Sequence, residues 1–106
     1  MLMWAALQLC REAEVVEVLE REPFKSPWLR AALAVAARDF CGAADICGGI
    51  GTRPLEAFFR LRAAEALAAE GRRTGADEQL RAALAFHRGV RATRYVREGE
   101  ALLATA

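Results

Sequence analysis

The stretch from residue 54 to residue 90 constrains the fold most strongly, because it holds two helical runs separated by a short turn. The first run begins at Pro54, where a missing N–H costs nothing, and Gly71 is suited to end it. Its apolar residues recur at three- and four-residue steps and make one broad face: Leu55, Phe58, Phe59, Leu61, Ala64, Leu67 and Ala68. Thr74 and Asp77 form a predicted capping pair for the second run. The inner positions of that run are Ala76, Leu80, Ala83, Leu84 and His87. The pattern predicts an antiparallel helical hairpin.

Alanine dominates the apolar composition, and it is both the strongest helix former and small enough for helices to approach closely. Hydrophobic residues make up 55% of the 106 residues, but strand-forming residues never alternate with polar ones over a useful length. A chain of this length is expected to form one domain with a modest core. The prediction is therefore an all-α fold of about six or seven helices.

Residues 1–23 are predicted to form an irregular leading helix pair that breaks near Cys10. The first apolar set of this pair is Leu2, Trp4, Leu7 and Leu9, and the second is Val15, Val16, Val18 and Leu19. Residues 26–49 form a second pair, which Ser26 opens as a helix cap. Gly42 is expected to weaken the second helix of that pair.

The central hairpin, 54–90, follows, and residues 93–104 form a closing helix that Thr93 is expected to cap. Because the turns are short, neighbouring helices are predicted to be antiparallel. Residues 1–106 are thus predicted to be a single helical domain.

Charge and cysteine content favour a small protein of the cytoplasm. The net charge is +1, which gives no global attraction for nucleic acid or an anionic membrane. The opening sequence has no basic start or cleavage site typical of a secretion signal, and its apolar run is too short to span a bilayer. Three cysteines, an odd number, are expected to stay reduced as small buried apolar residues.

The chain contains an internal repeat with an offset of 33 residues. With Arg38 aligned on Gly71, small or apolar residues coincide at Ala31 and Ala64, at Ala43 and Ala76, and at Ile50 and Ala83. The period, the turn and the spaced alanines resemble a tetratricopeptide repeat. The aromatic residue usual after the turn is present as Phe40, but Arg73 takes its place in the central repeat. The resemblance implies a short right-handed solenoid of stacked antiparallel helix pairs.

The segments IGTRPLEA, LRAAEAL and LAFHRGVRATRYVREGEALL resemble the C-terminal helical repeats of large bacterial signalling proteins. These are the ATPase-containing adenylate cyclases and transcriptional regulators that end in tetratricopeptide-like arrays, and the resemblance spans roughly residues 28–104. Catalysis in those proteins belongs to other domains, so no catalytic residue is implied here. The resemblance implies a protein-interaction or scaffold module that regulates domains upstream in a larger polypeptide.

In a tetratricopeptide array, the first helix of each pair lines a concave groove. The resemblance therefore places Trp28, Leu61 and Tyr95 at equivalent groove positions, with Phe58 and Glu65 flanking Leu61. An aromatic floor with a charged rim would suit a peptide or helix of a partner protein. The alternative is that the aromatic residues are core and the small bundle closes over its own groove.

Other candidate sites have weaker support. The GGIGT segment at 48–52 has phosphate-loop glycines, but no strand precedes it and no Lys-Ser/Thr pair follows. Cys41 and Cys47 lack the further ligands of a zinc site, so neither metal nor cofactor is expected. Pairing of Cys47 with His87 would give a nucleophile, but no oxyanion-forming motif accompanies it. No enzymatic activity is predicted.

A basic run near the last turn supports the alternative function, nucleic-acid binding. Its arginines are Arg88, Arg91, Arg94 and Arg97, three residues apart, and they could meet a line of phosphates. Two glutamates, Glu98 and Glu100, dilute this charge, which favours a solvated face. Protein binding is therefore the main prediction. The apolar start, Met1 to Trp4, further predicts either a homodimer through apolar terminal helices or an upstream segment that covers them.

Overall fold

A computed structural model describes residues 2–104, and within them it shows seven α-helices and no β-strand. The helices are α1 (Leu2–Gln8), α2 (Glu12–Glu20), α3 (Pro27–Ala36), α4 (Phe40–Ile50), α5 (Arg53–Ala69), α6 (Arg73–Gly89) and α7 (Thr93–Ala104). The predicted all-α class and helix number are confirmed, and the predicted break near Cys10 falls between α1 and α2. Met1, part of the predicted apolar start, lies outside the described residues.

From α3 to α7 the helices pack in chain order. Contacts join α3 to α4, α4 to α5, α5 to α6 and α6 to α7, while α1 and α2 both lie on α3. The body measures 43 × 27 × 22 Å. Its radius of gyration, 14.1 Å, exceeds the roughly 13 Å expected for a compact domain of this length. The body is therefore elongated, with α1 and α2 packed on α3 and α7 packed on α6. The right-handed sense of the stack stays a prediction.

Within residues 2–104, four helix connections use the same three-residue turn. A residue with left-handed backbone stands at the centre of each: Cys10, Arg38, Gly71 and Arg91, with φ of 57°, 59°, 77° and 55°. The next residue donates its N–H to the carbonyl five positions back, at 2.8 to 2.9 Å: Arg11 to Ala6, Asp39 to Ala34, Arg72 to Leu67 and Ala92 to His87. This hydrogen bond belongs to the Schellman motif, which satisfies carbonyls left free at a helix end. The centres Arg38 and Gly71 are 33 residues apart, as the predicted internal repeat requires.

The helix starts agree with the predicted caps in one place and differ in two. The hydroxyl of Ser26 accepts the N–H of Leu29 at 3.2 Å, which confirms it as the cap of α3. Thr74 was the wrong choice for α6, because that helix restarts at Arg73, directly after the turn, with no side-chain cap. Thr93 likewise lies inside α7 as its first residue. In both cases the helix begins directly after the turn, so the predicted cap residue already lies inside the helix.

Gly42 leaves the space that the side-chain cap of α4 occupies. The carboxylate of Asp39 caps α4 by accepting the N–H of Gly42 at 2.9 Å. A Cβ at position 42 would lie 2.2 Å from a carboxylate oxygen of Asp39, so a side chain there would displace the cap. The helix runs for 11 residues, longer than expected from its glycine content.

Two clusters of buried side chains form the core. The larger lies among α1, α3, α4 and α5, and its members are Met3, Ala6, Leu7, Ala31, Val35, Phe40, Ala43, Ala44, Cys47, Phe59 and Ala63. The smaller joins α5 to α6: Leu61, Ala64, Leu80, Ala83 and Leu84. Leu2 and Leu9, predicted to belong to the first apolar set, are instead 73% and 69% exposed, because Met3 and Leu7 take the buried positions of α1.

Candidate protein-binding groove

A groove of about 660 Å³ opens between α1, α5 and α7. Its walls are Trp4 and Gln8 from α1, Pro54, Leu55, Phe58 and Arg62 from α5, and Arg94, Tyr95 and Glu98 from α7. The volume is within the range of ligand-binding clefts. Three helices that are far apart in the sequence therefore share one concave surface.

Aromatic rings form the floor of the groove, and Phe58 stands at their centre. Its ring meets Trp4 at 5.3 Å, Phe59 at 5.2 Å and Tyr95 at 5.9 Å between centroids, each nearly edge to face. Edge-to-face pairs at such distances add to the stabilisation from burial alone. Trp4 of α1 and Tyr95 of α7 thus both pack on Phe58 of α5.

Arg62 covers part of this floor. Its guanidinium lies 4.9 Å from the ring centroid of Phe58 and 5.6 Å from that of Trp4, in cation–π geometry. The same group donates to Glu98 at 2.8 Å and also pairs with Glu65. Its Nε is buried and has no hydrogen-bond partner among the described residues. Arg62 therefore ties α5 to α7 and retains one unsatisfied donor.

The rim of the groove carries an accessible positive charge. Arg94 is 82% exposed and its Nε lies 3.5 Å from Glu98, whose other oxygen already receives Arg62. Arg62, Arg94 and Glu98 line the groove, and Glu65 pairs with Arg62 at its edge, so Arg94 is the cation that is most open to solvent. A carboxylate that entered the groove beside Arg94 would form an ion pair with a guanidinium that is now mostly solvated.

His87 of α6 supports Tyr95 from behind the groove. The two ring centroids are 4.9 Å apart, and His87 is 3% exposed. Burial lowers the pKa of His87 below its ordinary value and Arg62 lowers it further, while the Ala57 carbonyl and Glu98 oppose the shift. Neither ring nitrogen has a hydrogen-bond partner of normal geometry among the described residues. At neutral pH the imidazole is therefore an uncharged packing group.

No family model, curated protein or solved structure matches this chain. The resemblance to tetratricopeptide arrays and bacterial signalling proteins accordingly stays an expectation. In residues 2–104 no helix is long and apolar enough to cross a membrane. What the groove can bind must be inferred from its own side chains.

The five residues predicted to line a groove lie in three different places. Phe58 and Tyr95 are together in the groove floor. Leu61 is only 1% exposed and belongs to the smaller core cluster. Glu65 is exposed and pairs with Arg62 at the edge of the groove. Trp28, 54% exposed, stands apart at the rim of a different cavity.

That second cavity, of about 430 Å³, is apolar and lies at the end of the molecule formed by α1, α2 and α3. Its rim includes Leu2 and Trp28, its interior reaches Cys47 and Phe59, and no charged residue lines it. It shares Trp4 and Leu55 with the groove. The two concavities are thus on either side of α1.

Sequence reasoning missed seven of the nine groove residues, and two of the seven had a signal. Arg62 follows Phe58 by four residues, and Glu98 follows Tyr95 by three, so each shares a helix face with a predicted residue. Arg94 lines the groove too, although it was predicted as part of a basic strip. Nothing in the local sequence connects Trp4 with α5, because that contact depends on how α1 packs.

The structure adds little support for the cysteine, phosphate-loop and metal sites that were weighed from the sequence. Burial raises the pKa of Cys47, and so does nearby Glu56, which keeps the thiol protonated. Burial is also the main cause of the raised pKa of Cys41. Most of the GGIGT segment belongs to α4, which ends at Ile50. Among residues 2–104, no three potential metal ligands are grouped.

Two arginines of the predicted basic run form ion pairs within the protein. Arg88 ends near α7 and pairs with Glu100 at 3.3 Å, while Arg94 pairs with Glu98. Arg91 occupies the turn between the two helices. Ion pairs within the protein thus occupy part of the charge that nucleic-acid binding would need.

Proposed function

We propose that this protein is a non-enzymatic interaction module whose groove between α1, α5 and α7 receives a short segment of a partner protein. The segment carries an apolar or aromatic side chain next to a carboxylate. The partner is either a separate protein or another domain of the same polypeptide. The proposal places the module in the cytoplasm, where its three unpaired cysteines would stay reduced.

The observation that carries the proposal is an aromatic floor beside an exposed arginine. Trp4, Phe58 and Tyr95 offer ring surface, and interfaces draw much of their energy from such aromatic anchors. Arg62 already lies over part of Phe58 and Trp4, so the anchor would pack on the ring surface that this guanidinium leaves uncovered. The concave shape suits a narrow segment better than a flat protein surface.

The charge at the rim selects the partner chemistry. Arg94 is mostly solvated, so a carboxylate can approach it without displacing a buried ion pair. The unsatisfied Nε of Arg62 offers a second donor if the side chain shifts. A lysine or arginine of the partner placed beside Arg94 would meet a like charge and be disfavoured. Acidic segments with an apolar anchor are therefore the expected ligands.

Peptide display tests the proposal. A library of random segments is selected on the whole protein, and enriched sequences are synthesised and measured by calorimetry. We expect enrichment of Asp or Glu next to Trp, Phe or Leu, with affinity in about the micromolar range. Arg94→Glu should weaken binding at least about tenfold by removing the cation and adding repulsion.

Arg97 offers the matched control. It is exposed, lies one helical turn from Arg94 on α7 and does not line the groove. Arg97→Glu should leave peptide affinity unchanged within about twofold, although the change in net charge is the same. Equal losses in both variants, or enrichment of basic peptides, would contradict the proposal.

A separate measurement decides which kind of partner is used. An antibody raised against the α5–α6 hairpin would detect the native protein in its source cell by immunoblot. A band near 11.6 kDa indicates a free-standing adaptor for separate proteins. A much larger band indicates a repeat array that regulates domains of its own polypeptide, as the sequence resemblance implies.

A further inference from the structure

The apolar cavity of about 430 Å³ extends from the protein surface into the core. Leu2 and Trp28 at its rim are 73% and 54% exposed, whereas Cys47 and Phe59, which also line it, are 2% and 3% exposed. The cavity is therefore a cleft that enters the packed interior rather than a shallow depression of the surface. A cleft of this depth and volume suits a small molecule better than the surface of a folded partner protein.

The lining of the cavity carries no charged side chain, which restricts the ligand chemistry. Among the residues that line it, Ser26 supplies the one hydroxyl, and its oxygen already accepts the N–H of Leu29 at 3.2 Å. A charged ligand would lose its hydration there without gaining an ionic partner. Water inside the cavity would likewise find few polar partners. The favoured occupant is therefore an uncharged, largely apolar molecule.

Aromatic side chains and the size of the cavity narrow the ligand further. Trp4, Trp28 and Phe59 line the cavity, and aromatic rings pair favourably with other rings in edge-to-face or offset geometry. An apolar cavity of about 150 Å³ can hold one benzene molecule. The larger volume of this cavity thus leaves room for an aromatic molecule of two fused rings.

Helix α2 supplies a second observation that points to a ligand. Val15 and Leu19 of α2 line the cavity, yet α2 has no buried residue. Helix α3 contributes Ala31 and Ala32 to the same lining, and these side chains are too short to fill the space. A molecule in the cavity would remove apolar surface of Val15 and Leu19 from water, which is favourable.

We propose that this cavity binds a small uncharged aromatic molecule of about two fused rings, and that the bound molecule holds α2 against the rest of the protein. Binding at the cavity does not depend on the proposed peptide binding. The two concavities share Trp4 and Leu55, but Trp28 lines only the cavity. Trp28 is therefore the residue that distinguishes the two sites.

Titration with 2-naphthol, which is neutral at pH 7, tests the ligand class. In a ¹H–¹⁵N correlation spectrum the indole signal of Trp28 should shift and saturate, with a dissociation constant of about 10–100 μM. The charged analogue 2-naphthoate has the same rings and a carboxylate. At the Trp28 signal it should bind at least about tenfold more weakly, because the lining offers no cation.

Two matched truncations test the location of the site by calorimetry with 2-naphthol. Trp28→Ala removes a ring from the rim and should weaken binding at least about fivefold. Phe24→Ala also removes an exposed aromatic side chain, 78% exposed, but Phe24 does not line the cavity. Its affinity should stay within about twofold of the wild type. Both positions are exposed, so the fold should tolerate both changes.

Filling the cavity gives the complementary test. Ala32→Phe places a ring in the cavity and should lower the affinity for 2-naphthol at least about tenfold. Ala37→Phe adds the same ring at an exposed position outside the cavity and should bind like the wild type. Urea midpoints establish that each variant is folded. If Ala32→Phe does not fold, the comparison of Trp28→Ala with Phe24→Ala decides.

Hydrogen exchange tests the effect on α2. Saturating 2-naphthol should slow exchange of the α2 amides at least about threefold, because opening of α2 would expose the bound molecule. Exchange by local opening of α7, which does not line the cavity, should change less. Equal slowing of the two helices would contradict the proposed role in holding α2.

Four further outcomes would overturn the proposal. These are no saturable shift of Trp28 up to the solubility limit of 2-naphthol, equal affinity for 2-naphthoate at that signal, equal losses in Trp28→Ala and Phe24→Ala, and a folded Ala32→Phe protein that binds like the wild type. Sedimentation velocity covers the other occupant. A dimer that 2-naphthol dissociates would mean that a second copy of the chain fills the cavity, which would also overturn the proposal.

Discussion

The leading pair, α1 and α2, and the central pair, α5 and α6, are both amphipathic, but they differ in how much they bury. Five of the nine residues of α2 are apolar, and none of them is buried. By contrast, α5 and α6 bury five residues each. Arg60 further ties the central pair together, with Glu56 at 2.7 Å, Asp45 at 3.3 Å and Gln79 at 3.0 Å. An apolar face is buried only where neighbouring helices cover it, and the contacts of α2 with α1 and α3 are far fewer than those within the central pair.

This difference bears on the proposed groove. The floor rests on α5, which belongs to the well-packed part of the molecule. One wall comes from α1, whose Trp4 is held by Phe58 and Phe40. Regions with few buried contacts open at lower free energy than the core. We therefore expect α1 to adjust to a ligand while α5 stays fixed.

The largest expected effect comes from truncating a core residue of the central pair. Leu61→Ala should lower the free energy of unfolding by about 2–5 kcal/mol, because Leu61 is fully buried and its removal leaves a cavity. Val18→Ala on α2 should change it by less than about 0.5 kcal/mol, because Val18 is 59% exposed. Urea unfolding followed by circular dichroism measures both. Similar losses at the two sites would break the contrast between the pairs.

A somewhat smaller loss is expected where α7 meets the central pair. A Cβ on Gly99 would lie 2.5 Å from Cδ2 of Leu84 and 3.3 Å from Cδ1 of Leu80. Gly99→Ala should therefore destabilise the protein by about 1–3 kcal/mol despite the better helix propensity of alanine. Gly89→Ala is the matched control, since nothing lies within 4 Å of a Cβ there. A stabilised Gly99→Ala protein would mean that α7 packs less closely than described.

The shared turn allows the two regions to be compared at equivalent positions. Arg38 and Gly71 both have left-handed backbone, which costs an ordinary residue about 1 kcal/mol and glycine much less. Arg38→Gly should therefore stabilise the protein by about 0.5–1 kcal/mol, and Gly71→Ala should destabilise it by a similar amount. Thermal unfolding measures both. The same sign for both variants would show that the turns are not equivalent.

The pH dependence should be modest and has a definite sign. Burial lowers the pKa of His87 in the folded protein. As the pH falls through about 6.5, His87 of the unfolded chain therefore takes up a proton, while His87 of the folded protein stays neutral. The proton uptake by His87 should thus lower the free energy of unfolding as the pH drops below about 6.5. His87→Leu should remove this contribution to the pH dependence. The urea midpoints of the wild type and the variant are measured at pH 7.5 and at about pH 5.5, and the wild type should lose more stability than the variant. A difference that does not change with pH would contradict the assignment.

The helices were predictable because their signals are local. Alanine content, the Ser26 cap and the glycine at 71 each act within one turn of chain, so helix class and number followed from them. The start of α6 did not follow, because Thr74 has the chemistry of a cap but the Schellman turn restarts the helix at Arg73. Tight backbone geometry there took precedence over side-chain preference.

The groove was only partly predictable because its walls come from distant parts of the chain. Phe58 and Tyr95 followed from helix periodicity. Trp4 did not, because its position depends on how α1 lies across α5. Leu61 and Trp28 occupy equivalent repeat positions in the sequence, yet Leu61 is buried in the smaller core cluster and Trp28 is exposed.

The two tryptophans provide the most direct test of the groove. In a ¹H–¹⁵N correlation spectrum each indole N–H gives one signal, and Trp4 lines the groove while Trp28 does not. Titration with a displayed acidic peptide should shift the Trp4 signal and leave that of Trp28 in place. A shift confined to Trp28, or no shift at either indole while the peptide still binds, would contradict the account.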